Sequence, residues 1–175
     1  DYLFTSDRLG FRNWQEVDLA PLSAMNADAR VMEFFPSTQS EEMTVAFIER
    51  MQIQFSEHGF CYFAVDVLES GEFIGFIGIA KQTFEAEFTP CIDIGWRIAP
   101  AHWQKGYATE GAKRCLAFAF DTLELDEIVA IAPEVNKASI HVMKKIGMQK
   151  DHTFAHPLLK DCPTLVNCEL WGVKK

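Results

Sequence analysis

The chain has 175 residues, 49% of them hydrophobic, and a net charge of −9. That length supports one substantial core and is short for two, so residues 1–175 are expected to form a single domain. The acidic excess argues against a nucleic-acid surface, which needs clustered Lys and Arg. No apolar stretch approaches the roughly 20 residues that cross a bilayer, and no basic-then-apolar leader opens the sequence, so a cytoplasmic protein that engages neither nucleic acid nor membrane is predicted.

Thr5–Trp14 reads as an opening strand. Asp18 is placed to cap a helix running to about Arg30, and Ser40-Glu-Glu-Met43 begins a longer helix that ends near Gly59, with Phe34-Phe35-Pro36 breaking the chain between them. Phe60–Val67 and Phe73–Ala80 are apolar and β-rich, and Glu69-Ser-Gly-Glu72 supplies the turn of a hairpin. Cys91–Ile98 is the next strand, closed by Pro100. A loop containing Gly106 then runs into a helix whose Ala108, Ala112, Cys115, Leu116, Ala119 and Phe120 share one face. Glu127–Ala132 is a short buried strand, Asn136 caps a helix that Gly147 stops, and Met148–Phe154 and Thr164–Val173 close the sheet. This alternation predicts an α/β architecture with a central mixed sheet.

The passage from Cys91 to Gly111 has the order strand, loop, helix start. Unpaired N–H groups and the positive end of the dipole make such a helix start attractive to phosphate, and Gly106 lets the backbone approach a ligand closely. Asp93 is a lone carboxylate in an apolar strand, where burial raises its pKa toward that of a useful base. It is the first candidate base, against the alternatives that it faces solvent or pairs with Arg97. Glu110, in the first helical turn, is the second, though a carboxylate there also simply favours the dipole. His152 and His156 are four apart in an extended segment ending at Pro157, which does not give helical metal geometry, so no metal is expected. Five cysteines without a Cys-x-x-Cys pair read as reduced, packed thiols.

Together, the Gly106 loop and the segment Asn136-Lys-Ala-Ser139 through Lys145 and Gly147 resemble the Gcn-related N-acetyltransferase (GNAT) superfamily. Gly106 and Ala108 fall on the last two fixed positions of its acetyl-CoA loop, Arg/Gln-x-x-Gly-x-Gly/Ala; Asn136, Ser139, Lys145 and Gly147 match the later Asn-x-x-Ser…Lys-x-Gly-Phe signature. Leu9-Gly-Phe-Arg12 and Asp93-Ile-Gly-Trp-Arg-Ile-Ala-Pro100 look like the branch containing the ribosomal-protein N-terminal acetyltransferases. The resemblance implies a GNAT-type fold, a central mixed, mostly antiparallel sheet of about six to seven strands flanked by about four helices. It implies acetyl-CoA as cosubstrate and transfer of its acetyl group to a primary amine, of a protein N-terminus or a small molecule, by direct attack in a ternary complex. Gln104, Lys105, Gly106, Tyr107, Ala108 and Thr109 would hold the phosphates. The strand of Ile94, Trp96, Arg97 and Ile98 would hold the pantetheine, and Asn136 with Ser139 the thioester end. Phe34, Phe35 and His156 would line the acceptor pocket, and homodimers are common in the family. Three positions depart from the pattern: Trp103 for Arg or Gln, Gln104 for a first Gly, and Met143 where many relatives carry a Tyr that protonates the leaving thiolate. Ser139 or a water is the nearest substitute acid, and loss of the Tyr leaves a non-catalytic acyl-CoA sensor as the alternative.

Overall fold

In the computed structural model, which describes residues 1–175, the apolar segments assemble into one open sheet of eight strands, more than the six to seven expected. The first strands are β1 (Phe4–Thr5) and β2 (Leu9–Arg12). The opening strand read as Thr5–Trp14 is thus two, because the polar residues 6–8 turn back and Ser6 N donates to Leu9 O at 2.9 Å. β3 (Tyr62–Val67), β4 (Phe73–Gln82) and β5 (Cys91–Ile98) continue antiparallel. β6 (Glu127–Pro133) lies parallel to β5, and β8 (Asn167–Lys174) pairs antiparallel with both β6 and the edge strand β7 (Gln149–Ala155).

Four helices flank the sheet: α1 (Leu19–Asn26), α2 (Glu41–His58), α3 (Tyr107–Ala117) and α4 (Lys137–Lys145). α2 starts and stops on the expected signals, with Ser40 Oγ accepting from Met43 N at 3.2 Å and Gly59 in the left-handed region at φ 79°. α1 ends at Asn26 rather than near Arg30. Nor does Asp18 cap it through its side chain. The Asp18 carboxylate instead accepts from Gln15 N at 2.8 Å and from both terminal nitrogens of Arg12 at 2.8 and 2.9 Å. Arg12 also donates to Asp66 at 2.9 and 3.0 Å, so a buried guanidinium between two buried carboxylates ties β2 to β3 and to the turn before α1.

Side-chain alternation divides β5 between two faces. Ile77 and Ile79 of β4 stand opposite Trp96 and Ile94, and Ile77 packs beneath α3, where a Cβ on Gly111 would lie 2.3 Å from its Cδ1. Asp93, Gly95 and Arg97 take the other face, under α1 and α2, where Tyr62 stacks on Phe76 at 5.3 Å and Phe47 of α2 lies 5.2 Å from Phe76. The strand therefore presents an apolar row to one helix and its ionisable residues to the other layer.

Candidate active site

β5 is paired with β4 along its whole length, yet its only register partner in β6 is Asp93 with Val129. Beyond Asp93 the two parallel strands part, which leaves the backbone of Ile94, Trp96 and Ile98 with an open edge on the β6 side, whereas the backbone of Arg97, expected in that row, faces β4 opposite Phe76. Trp103, an exposed residue, donates its indole N–H to Ile98 O at 2.7 Å and occupies one lone pair at the far end of that edge.

The loop after β5 ends on two residues with positive φ, Gln104 at 60° and Gly106 at 79°. Gly106 is the N-cap of α3 and no side chain caps the helix. Glu110 N is the first amide with a helical acceptor, Gly106 O at 3.0 Å. The amides of Tyr107, Ala108 and Thr109 precede it in the first turn, the position of unpaired donors in any helix. Lys105 is exposed beside them.

A residue not anticipated from the sequence joins this loop. Arg8, in the β1–β2 turn, lies 4.4 Å over the Tyr107 ring and brings Nη2 to 3.5 Å from where a Gly106 Cβ would stand. Its partner is Glu110, which accepts from Arg8 Nε at 2.6 Å, Arg8 N at 2.9 Å and Ser6 Oγ at 2.6 Å. Burial raises the Glu110 pKa, but these hydrogen bonds outweigh it and hold the carboxyl below its usual range. Glu110 is thus a strut between the first hairpin and α3 and a poor base. The signal in the sequence is faint, because the contact joins positions 102 apart.

Asp93 is buried at 8% exposure, so the solvent-facing alternative fails. It does not pair with Arg97 either. Its Oδ1 accepts from the Tyr62 hydroxyl at 2.6 Å and from Gln82 Nε2 at 3.3 Å, and Gln82 Nε2 also donates to the Tyr62 hydroxyl at 3.0 Å. Burial pushes the Asp93 pKa up to about 6, against the lowering effect of the Tyr62 and Gln82 hydrogen bonds. Burial, together with the neighbouring Asp93, drives the Tyr62 phenol well above its ordinary value, so Tyr62 keeps its proton and serves as a donor. Gly95 makes room for this tyrosine: a Cβ there would sit 3.2 Å from the ring.

Arg97 lies two positions beyond Gly95 on the same face. Its guanidinium is stacked between Phe35 and Phe76, 4.7 and 5.0 Å from their centroids, and Nη1 donates to Asn26 Oδ1 at 2.8 Å. Phe35 is thus part of this face, and Phe34 is half-buried next to it in the loop after α1. His156 lies elsewhere, tilted against Phe84 of the β4–β5 loop at 4.4 Å, with Nδ1 accepting from Leu158 N; burial lowers its pKa. The structure does not bring it into contact with Asp93, Phe34 or Phe35.

On α4, Asn136 Oδ1 accepts from Ser139 N at 3.2 Å, which commits that oxygen to the cap and leaves its Nδ2 and the half-buried Ser139 hydroxyl without side-chain partners. Met143 is buried at 2% in the core and offers no proton. Cys91 and Cys115 are no better as nucleophiles, since burial pushes Cys91 up to about 11 and Cys115 further. A cavity of about 1,240 Å³ opens on the other side of the Asp93–Val129 junction, lined by Cys91, Ile92, Glu127, Val129 and Trp171 among others.

The family described as an acetyltransferase (GNAT) domain matches residues 8–149. The uncharacterised N-acetyltransferase YnaD of Bacillus subtilis (strain 168) is 30% identical over 151 residues, which cover 86% of this chain and 84% of YnaD. The crystal structure of a GNAT-family acetyltransferase from Bacillus anthracis superposes with a TM-score of 0.77 at 25% identity, over 97% of this chain and 96% of that one. The spermidine N-acetyltransferase of Vibrio cholerae, solved with CoA and spermine, shares the fold at a TM-score of 0.72 and 17% identity, with 95% of each chain covered.

Proposed function

The chain belongs to the GNAT family of acetyltransferases, and on that premise we propose that it transfers the acetyl group of acetyl-CoA to a primary amine by direct attack in a ternary complex. The observation that carries this reading is Asp93: a buried carboxylate, poised near 6, where β5 and β6 part.

The residues present fit the coenzyme. The uncapped first turn of α3 and the bare Gly106 suit a pyrophosphate, held by Gln104, Lys105, Gly106, Tyr107, Ala108 and Thr109 with Arg8 alongside. The open edge from Ile94 to Ile98 suits an amide-bearing arm, which would pair with it as an added strand does. Asn136 Nδ2 and Ser139 would meet the reactive end. When bound, acetyl-CoA supplies the thioester that the amine attacks.

An alkyl amine at neutral pH is mostly protonated, with a pKa near that of lysine, about 10. Asp93 Oδ2, free of side-chain hydrogen bonds, accepts the ammonium proton directly or through water, while Tyr62 and Gln82 fix Oδ1. The freed lone pair would form the new N–C bond as the C–S bond of the thioester breaks, and the second proton of the nitrogen would pass through the Ser139 hydroxyl or water to the leaving thiolate. Phe34 and Phe35 bound the acceptor side. The N-acetyltransferase relative supports an amine acceptor. A second reading, an acyl-CoA sensor, is favoured by the buried Met143.

Turnover separates the two. Thiol release from acetyl-CoA and product mass, measured across a panel of amines, should show enzyme-dependent acetylation that falls about 10²-fold or more in Asp93→Asn. Tight acetyl-CoA binding with no acetylated product across the panel would favour the sensor.

A further inference from the structure

The protein draws two arginines into its interior, the buried Arg12 and the half-buried Arg97, and they are in opposite states. Arg12 faces two carboxylates, each within 2.9 Å. Arg97 forms no salt bridge, and its single protein hydrogen bond goes to the neutral Asn26 Oδ1. Asn26 is held in that orientation, since its Nδ2 donates to Thr44 Oγ1 at 2.9 Å, and both residues are fully buried. Arg97 Nε is sealed from solvent without an acceptor, while Nη2 also lacks a protein acceptor but is not sealed. Burial pulls the Arg97 pKa down to about 10, so the group is still charged at neutral pH.

A half-buried charge without a counter-ion loses part of its hydration, and the aromatic faces of Phe35 and Phe76 offset only part of that cost. Unlike the Arg12 cluster, this arrangement has no counter-charge; its one hydrogen bond to the fold satisfies the buried Asn26 Oδ1 and leaves Nε and Nη2 without protein acceptors. It has the form of a site that lacks its anion. The position is specific: Arg97 shares a strand face with Asp93, four residues and about 13 Å of strand away, with the Tyr62 ring over Gly95 between them.

We propose that Arg97 recognises an anionic group of the acceptor, so that the amine acetylated here belongs to a molecule that also bears a carboxylate. The inference rests on the proposed acetyl transfer and narrows its acceptor. Asp93 receives the amine end, the aromatic rings of Tyr62, Phe76 and Phe35 cover the body, and Arg97 Nη2 donates to the carboxylate. A polyamine, which carries no anion, leaves Arg97 unpaired and is disfavoured.

Matched pairs that differ by one carboxylate, held a chain length from the reacting amine, test this: lysine, acetylated at its ε-amine, against cadaverine, and 6-aminohexanoate against pentylamine. A charge-assisted hydrogen bond predicts kcat/KM about tenfold or more higher for the carboxylate member. In Arg97→Gln that ratio should collapse toward unity through a rise in KM for the carboxylate member, with Arg97→Lys intermediate. Equal or reversed preference in the wild type, or a ratio unchanged in Arg97→Gln, overturns the assignment while leaving acetyl transfer intact.

A second measurement needs no turnover and no variant to fold. The Nε–Hε resonance of Arg97 in the wild-type protein with CoA is followed during titration with 3-phenylpropionate and, separately, its neutral amide. A saturable shift with the carboxylate alone supports the site, and no shift with either rejects it. Failure of acetyl-CoA itself to bind is a separate result and counts against the proposed function.

Discussion

Asp93 shows how far one position can be read without its neighbours. An isolated carboxylate in the apolar run Cys91–Ile98 signals a buried, perturbed group, and the structure places it at 8% exposure with a pKa near 6. The groups that tune it, Tyr62 and Gln82, stand 31 and 11 positions away and carry no local mark. In the proposed mechanism the base works ionised, so kcat/KM should rise with pH through a limb near 6. Tyr62→Phe removes a hydrogen bond that stabilises the carboxylate, raises the Asp93 pKa further and should move that limb to higher pH; an unmoved limb would mean that another group titrates there.

The same shift has a cost in stability. A carboxyl whose folded pKa exceeds its unfolded value, about 3.9, favours the folded state when protonated. That contribution is complete below about pH 4 and is lost as pH rises through about 6. Asp93→Asn does not titrate, so it should melt higher than wild type above pH 6, by a margin on the order of 3 kcal/mol at most, with the gap closing toward pH 4. Thermal melts of both proteins across that range check the sign.

At the scale of elements, β5 matches the expected Cys91–Ile98 at both ends because its apolar run meets Pro100, and α2 is bounded by its Ser40 and Gly59 signals. α3 begins beside Gly106 for the reason legible in the sequence: the residue takes φ 79°, which costs other residues strain. Gly106→Glu adds that strain and a negative charge where a phosphate is expected, and calorimetry should show acetyl-CoA affinity lost. Unchanged affinity would detach the loop from the coenzyme. Elements whose ends depend on distant contacts were less legible. α1 stops at Asn26, whose side chain is drawn to Thr44 and Arg97, 18 and 71 positions away. The helix-capping role suggested for Asp18 gives way to Arg12 because a buried guanidinium needs counter-charge more than a helix end needs one acceptor. On α4, Asn136→Ala removes a cap and should lower stability by about 1 kcal/mol in chemical denaturation.

Across the whole molecule, the mixed sheet with four helices follows from the alternation of segments, but its order does not. Splitting of the first strand and insertion of β8 between β6 and β7 come from pairings that no local pattern encodes. The Arg12 cluster joins the first hairpin to β3 and to α1, so Arg12→Ala, which strands Asp18 and Asp66, should destabilise the fold by about 3–5 kcal/mol in denaturant unfolding. The first hairpin also carries Arg8 to the Gly106 loop, and the single parallel junction of β5 and β6 sets Asp93 at the base of an opening edge. The proposed coenzyme loop, base and acceptor face thus meet around one strand.

The most direct test of this arrangement is a calorimetric titration of the folded protein, free of copurified CoA, with acetyl-CoA, with desulfo-CoA and ATP as controls. The account predicts saturable micromolar binding of acetyl-CoA, retained for desulfo-CoA and absent for ATP. No binding of either CoA species would contradict it, because the uncapped α3 turn and the open β5 edge would then hold nothing.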